Sequence, residues 1–368
     1  MNLSRRKTLA LIGGGIVAAA LPVGGFLATR TPTKALEPWN MAGQYEDPRM
    51  RAMSFALLSP NPHNRQPWEA ELVSNDGLNI YRDKTRNLPV TDPFERQLTI
   101  GMGCFIELMT IAAAEEGFDV ETNLFPDGED GPVASCRFVP KAAQPDPLFK
   151  HVLYRRSHKE MFDTKPVSKE VAEPLLTYCD VFLGGKERDQ LRQIADDAWW
   201  MEMNTKDAYM ESVELFRIGK DEINTNPDGI DIGGPMMDTL QLVGILNRET
   251  ASDTSDPNVQ ATLQQTSDAI TNCPAFAMIR TKSNSRFDQI EAGRKWLRLN
   301  LTTTANGLAL RPVSQALQEY VEMKEIYEDI HSKFASDGET IQMLGLLGYG
   351  ERTARTPRWP LETRMKQA

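Results

Sequence analysis

The chain has little with which to hold a metal or build a redox pair. Its 368 residues include four cysteines and four histidines. Cys104, Cys136, Cys179 and Cys273 show no C-x-x-C spacing, which argues against a zinc framework and against a dithiol motif. In an oxidising compartment a disulfide stays open, and the sequence does not pair the thiols. The histidines show neither H-x-x-x-H nor H-E-x-x-H spacing, so nothing points to a metal centre. Positive charge is also short: 41 Lys and Arg against 51 Asp and Glu leave a formal net charge of −10, which disfavours nucleic acid as a partner. With 40% hydrophobic and 25% charged residues the chain can still build a sizeable core, and its length admits two domains.

What is present begins at the N-terminus. Ser4-Arg5-Arg6-Lys7-Thr8 precedes a mild apolar run from Leu9 to Ala28, rich in Gly and Ala. This pattern reads as an export signal of the twin-arginine type over residues 1–30, implying a periplasmic mature protein and the twin-arginine export machinery as a partner. The run is also just long enough to cross a bilayer, at about 20 residues, so a retained segment would act as a membrane anchor. No cysteine follows it, which argues against a lipoprotein.

Periodicity sketches the rest. Ala70–Val73 and Leu78–Tyr81, separated by Ser74-Asn75-Asp76-Gly77, predict a hairpin. Phe105, Leu108, Met109 and Ala112 fall at i, i+3, i+4 and i+7 within a predicted helix from Phe94 to Glu116, and isoleucines on its other side make it a buried one. Cys104 within it reads as a small buried hydrophobe. Strands are expected at Val120–Leu124 and Ala134–Phe138, and a linker at Lys141–Pro147. Further helices are expected at Asp146–Tyr154, Lys169–Tyr178, Glu187–Gly219 and Arg294–Asn306, the last stopped by Gly307. Residues 224–256 lack strong periodicity, and such long insertions are often functional loops, here read as a lid.

The richest stretch is Ser59-Pro60-Asn61-Pro62-His63-Asn64-Arg65-Gln66-Pro67-Trp68. Prolines stiffen it, while Asn and Gln side chains both donate and accept. Such a loop is either an ordinary polar turn or a device for reading a planar heterocycle.

This loop resembles the P-S-x-x-N-x-Q-P-W segment of the nitroreductase family of FMN flavoproteins, with Asn61 where the family usually has Ser. Arg155-Arg156-Ser157-His158-Lys159 is similar to the family's R-R-S-x-R/K. Gly348-Tyr349-Gly350 followed by Arg355-Thr356-Pro357-Arg358-Trp359-Pro360-Leu361-Glu362 is similar to its C-terminal G-Y-x…R-x-P-L-E. In single-lobe members the R-R-S motif precedes the proline-rich loop, whereas here it follows. The order resembles two lobes fused in one chain, as in the duplicated Acg-like branch, each lobe keeping half of the flavin motifs.

The resemblance implies an α+β nitroreductase fold. Its first lobe would span residues 31–145 and its second 146–368, the latter with the lid-like insertion near 220–256. Each lobe would carry a mainly antiparallel sheet flanked by helices, and the pair would form a pseudo-dimer, monomeric or further dimerised. It implies one FMN, with Asn61, Asn64 and Gln66 on the ring or ribityl chain, Arg155, Ser157 and Arg358 on the phosphate together with Arg355, Lys159 at the N1/O2 edge, and Gly348 beside the site. The activity implied is electron or hydride transfer through the flavin from an unknown donor to a nitro, quinone or similar small-molecule acceptor, with no catalytic side chain of its own. The alternative implied by the duplicated branch is a non-catalytic protein that sequesters FMN under a lid.

Overall fold

Two twenty-residue helices, Arg96–Glu115 and Arg286–Ala305, cross at the centre of the chain. The computed structural model describes residues 30–140 and 144–366. The first core helix starts where Asp92 turns its carboxylate onto the free N–H groups of Gln97 and Leu98, at 3.0 and 2.9 Å. It is apolar on every side and buried along nearly its whole length. The second opens with a reciprocal capping box between Ser285 and Asp288 and stops at Gly307, whose φ of +67° a glycine adopts without strain. At the crossing each helix carries a glycine. A Cβ on Gly103 would stand 2.2 Å from the Ile290 carbonyl oxygen, and one on Gly293 2.0 Å from that of Ile100. The backbones therefore touch, and the Cys104 thiol donates to the Gly293 carbonyl at 3.1 Å.

Strands β1 (Trp68–Val73), β2 (Gly77–Arg82), β3 (Phe118–Leu124) and β4 (Ala134–Pro140) form an antiparallel sheet in the order β1-β2-β4-β3. Its inner face, including Trp68, Ile80 and Phe138, packs on Phe105 and Met109 of the first core helix. The second half contributes β5 (Asp180–Phe182), β6 (Phe216–Ile218), β7 (Ile230–Ile232), β8 (Ala275–Thr281), β9 (Ala309–Pro312) and β10 (Thr340–Gly348). Of these, β5-β8-β10-β9 form a second antiparallel sheet, and β6 and β7 pair in parallel apart from it. Along β8, Ala275, Ala277 and Ile279 face Trp296 and Leu297 of the second core helix, while Phe276 and Met278 face Leu191, Ile194 and Ala198 of the helix Gly185–Asn204. Both faces are covered, so β8 and β10 read as continuous apolar runs. The fold is α+β, with one four-stranded antiparallel sheet in each half and the two core helices between them.

The C-terminal tail leaves the second sheet and lies along the first. Met365 pairs with Ala70 of β1, and the Lys366 amide donates to the Ala70 carbonyl at 2.7 Å. A boundary near residue 145 thus separates the sheets but not this tail.

Several expected elements differ. Asp146–Tyr154 holds a single 3₁₀ turn, Phe149–His151, with the Asp146 carboxylate engaged by Arg298 at 2.8 Å. Lys169–Tyr178 is a short helix that passes into a 3₁₀ turn at Pro174. The single helix expected from Glu187 to Gly219 is two, Gly185–Asn204 and Lys206–Glu214, because Thr205 between them is extended; strand β6 follows. The second core helix starts eight residues before the expected Arg294, at the capping box. The insertion is not irregular: it holds β7 and the helices Pro235–Leu242 and Arg248–Ser252. Residues 1–29 of the export-signal reading over 1–30, and residues 141–143 of the linker, lie outside the described residues. Among the described residues one helix is long and apolar enough to cross a membrane, and it is the buried first core helix.

Candidate functional site

The proline-rich loop, the R-R-S segment and the turn after β9 meet over the crossing of the core helices. They enclose a cleft of about 150 Å³. Pro60, Asn61, Pro62 and His63 form one wall, Pro312, Ser314, Gln315 and Gln318 another, with Ser157 at the side and Gly101, Cys104 and Trp296 below. Gly101 matters here, since a Cβ at that position would press on Asn61 and Pro62 at 3.2 Å.

The loop is held in a strained shape. His63, Asn64 and Gln66 have φ of 44°, 51° and 49°, in the left-handed region that non-glycine residues adopt at a cost. Internal hydrogen bonds compensate. The Asn61 side-chain Oδ1 accepts from the Gln66 backbone N–H at 2.7 Å, and its Nδ2 donates to the Ser59 carbonyl at 3.3 Å. The Asn64 side chain donates to the Pro357 carbonyl at 3.1 Å and accepts from Arg358 at 2.7 Å. Gln66 donates to the Pro227 carbonyl at 2.6 Å and accepts from the Trp359 amide at 2.9 Å. The amides of Asn64 and Gln66, expected to read a ring, are thus spent on fixing the insertion and the tail; Asn61 lines the cleft. His63 is a further cleft residue, and burial holds its imidazole below the ordinary histidine range.

Beneath the loop, two buried arginines converge. Arg155 donates from Nη2 to the Leu58 carbonyl at 2.6 Å, while its Nε and Nη1 have no partner among the described residues. Arg358 donates to the carbonyls of Leu57 at 2.6 Å, Leu58 at 3.3 Å and Ser59 at 3.0 Å, just past the end of the helix Pro48–Ala56. It acts as a C-terminal cap for that helix. Among the described residues neither forms an ion pair with a carboxylate. Burial pushes Arg155 down to about 10, and burial together with Arg155 and Arg156 pushes Arg358 down to about 9. The Ser59 hydroxyl beside them is fully buried without a partner.

The remaining expected residues divide. Ser157 lines the cleft. Lys159 is half-exposed and bonds Asp231 of the insertion at 2.7 Å. Arg355 lies at the surface against Asn40 and the face of Trp39. Gly348 closes β10 against Pro274 and Phe162, where a Cβ would stand at 2.7 and 2.8 Å. Arg156 and His158 line a separate open cleft with Tyr154 and Arg352.

Sequence reading passed over three features. Asp228 binds Arg65, Arg86 and Arg217 at 3.2, 2.8 and 2.9 Å and pins the insertion to the loop. Gln315 and Gln318 line the cleft, and their buried side-chain carbonyl oxygens have no partner among the described residues. Glu202, fully buried, accepts from Gln318 at 3.1 Å. Glu202 was legible as a carboxylate on the apolar stripe Leu191, Ile194, Ala198 of its helix.

No family model matches the chain. Over 93 residues it is 29% identical to Rv3131 and to MT3217 of two Mycobacterium tuberculosis strains, proteins whose names assign them provisionally to the NAD(P)H nitroreductases. The match spans 25% of this chain and 26% of each relative, about a quarter of their length. Among solved structures, the chain is similar to a provisionally named nitroreductase of Anabaena variabilis, with 11% identity, a TM-score of 0.42, and 80% of this chain and 82% of that one covered. It is also similar to the FMN-dependent nitroreductase NfnB of Mycobacterium smegmatis in complex with NADPH, with 16% identity, a TM-score of 0.38, and 60% and 98% covered. A Bacteroides fragilis nitroreductase with bound FMN gives 9% identity, a TM-score of 0.34, and 57% and 91% covered.

Proposed function

We propose that the chain is an FMN-binding oxidoreductase of the nitroreductase kind, internally duplicated in the manner of the Acg-like branch, with one flavin site per chain between its two halves. The observation that carries this reading is Arg155. A buried guanidinium with two unpartnered donors and no carboxylate partner, beside a second buried arginine, is costly unless an anion answers it. A phosphate dianion suits the planar fork of donors, and the Ser59 hydroxyl adds a third unpartnered group. The donor set fits the phosphate end of FMN, and the cleft above it, floored by Trp296, fits the edge of a ring.

When bound, the flavin supplies the electron or hydride transfer. The chain's own residues bind and orient. Arg155, with Arg358 and Ser157 nearby, holds the phosphate. Arg358 also fixes the loop that carries Asn61 over the ring. Lys159, once released from Asp231, brings a cation to the edge where negative charge gathers. His63, neutral in the folded protein, stands in the cleft wall where a proton can be exchanged. The donor is a reduced nicotinamide or an unidentified reductant, and the acceptor a nitro compound, quinone or similar small molecule. The N-terminal arginine pair exports the loaded protein to the periplasm, and the apolar segment anchors it there only where it is left uncleaved.

Sequestration of FMN under the insertion is the second reading, favoured by one observation. Pro227, Asp228 and Asp231 bind Gln66, three arginines and Lys159, so the insertion is clamped over the loop. One experiment separates the two. Purified protein is titrated with FMN, then treated anaerobically with NADPH or dithionite and an acceptor. Stoichiometric FMN that bleaches and reoxidises supports the oxidoreductase. FMN held tightly but inert to both supports sequestration, and no binding of FMN overturns both readings.

A further inference from the structure

The loop side chains expected on the flavin ring or ribityl chain are engaged by the loop itself, the insertion and the tail, yet another wall of the cleft carries amides with acceptors to spare. Gln318 is buried, with 3% exposure, and lines the cleft; its Nε2 donates to Glu202 Oε2 at 3.1 Å, and its carbonyl oxygen has no partner. Gln315, one turn earlier, also lines the cleft with a buried carbonyl oxygen lacking a partner. An amide has two distinguishable ends. Above about pH 7, where Glu202 is ionised, the carboxylate behind the wall can only accept, so it draws the N–H end of Gln318 backwards and turns the carbonyl end toward the cleft. Buried acceptors without donors are costly, so the ligand that belongs here brings an N–H group.

Glu202 is placed for this task and for no other visible one. It has no cationic partner among the described residues. The groups around it are Gln315 and Gln318, the Tyr320 hydroxyl, which lacks a partner, and Glu211 on the next helix, whose carboxylate is held by the Val90 and Thr91 amides. A carboxyl buried among neutral amides has little to offer stability. It does fix the direction of the amide in front of it.

Oxidised isoalloxazine carries one N–H, at the imide N3 between two carbonyls. Resting on the flavin reading above, we infer that Gln318, oriented by the positioning residue Glu202 and flanked by Gln315, accepts a hydrogen bond from the imide N–H of the ring, so that the pyrimidine end of the flavin faces the turn after β9. The loop amides then shape the opposite wall and read nothing.

The test compares FMN with 3-methyl-FMN, which lacks the imide N–H, by quenching of flavin fluorescence on the full chain freed of flavin. Wild type should bind FMN at least about tenfold more tightly, a factor equal to about 1.4 kcal/mol. Gln318→Leu should lose that preference. Glu202→Gln, which preserves volume but can present either a donor or an acceptor to Gln318, should shrink it several-fold, whereas a merely structural carboxyl would leave it intact. The preference is a ratio within each variant, so a fraction of unfolded protein does not affect it. Independently, the N3 proton of ¹⁵N-labelled FMN bound to wild type should be visible and slow to exchange. Equal affinity of wild type for both flavins, or an N3 proton exchanging as in free FMN, overturns the inference while leaving the flavin reading in place. Failure of wild type to bind either flavin overturns both.

Discussion

Arg155 and Arg358 donate to the same carbonyl oxygen, that of Leu58, at 2.6 and 3.3 Å. They do so on different terms. Arg358 spends its donors on Leu57, Leu58, Ser59, Asn64 and Pro357, whereas Arg155 leaves Nε and Nη1 unpartnered. Arg358 is a structural tie; Arg155 is a buried charge with two donors unpartnered among the described residues.

The two should therefore respond oppositely to replacement by methionine. Arg155→Met removes an uncompensated buried charge, so the flavin-free protein should keep its stability or gain about 1 kcal/mol in urea unfolding while losing FMN affinity by about 10- to 100-fold. Arg358→Met strands several carbonyls of the loop and should cost about 3 kcal/mol before any ligand is added. A destabilised Arg155→Met protein would show that this arginine is structural as well.

The helix crossing sets a second expectation. Gly293 lies against the Ile100 carbonyl and the Cys104 amide, and both neighbours are backbone, which cannot swing aside. Gly293→Ala should lower stability by about 1–3 kcal/mol, read by thermal or urea unfolding. Because Cys104 and Trp296 flank the crossing and floor the cleft, FMN affinity should fall with it. Gly307→Ala, in open space at a left-handed turn, strains only the backbone and should cost about 1 kcal/mol without affecting the cleft.

Where local pattern and tertiary structure agreed, the sequence was readable. The β1–β2 hairpin and the first core helix follow from alternation and from 3.6-residue periodicity, and Gly307 stops its helix as read. The break at Thr205 was not legible, because the helices on either side share helix-forming composition and only the packing of each against different neighbours turns the chain there. The insertion shows no strong periodicity because its helices are short; the Asn247-x-x-Thr250 capping box is the local signal that marks one of them. At the site, the proline-rich loop and Ser157 of the R-R-S segment meet at the cleft, while the C-terminal motif contributes none of its lining. The motifs could not show that Asn64 and Gln66 would bond Pro227, Pro357 and Trp359, since those partners lie more than 160 residues away in sequence.

Glu202 makes stability depend on pH in an uncommon direction. Burial raises its carboxyl from 4.5 to about 7, with Glu211 adding to the rise. The folded state therefore holds this proton more tightly than the unfolded chain. Its stabilising share is complete below about pH 4.5 and is lost as pH rises through about 7, by about 3 kcal/mol in all. Glu202→Gln does not titrate, so the stability of wild type relative to this variant should fall by roughly that amount between pH 4.5 and pH 8. Parallel curves for the two proteins would show that the carboxyl ionises freely in the fold.

Two aspartates of the insertion should separate its anchor from its latch. Asp228 is buried among Arg65, Arg86 and Arg217, and Asp228→Ala would leave three guanidinium groups without their shared counter-ion. That change should cost about 3–5 kcal/mol and loosen the proline-rich loop, raising proteolysis near Pro227. The Asp231 bond to Lys159 is different, since Lys159 is half-exposed and such pairs contribute about 0–1 kcal/mol. Asp231→Asn should leave stability within about 0.5 kcal/mol of wild type. A cleft of about 150 Å³ must widen to admit the whole flavin ring, for which pockets of about 300 Å³ or more are usual. Freeing Lys159 removes one restraint on that opening, and on the proposed flavin reading frees a cation for the ring, so Asp231→Asn should speed FMN association several-fold in stopped-flow fluorescence. An unchanged association rate would place the opening elsewhere, at the Gln66 and Pro227 contact.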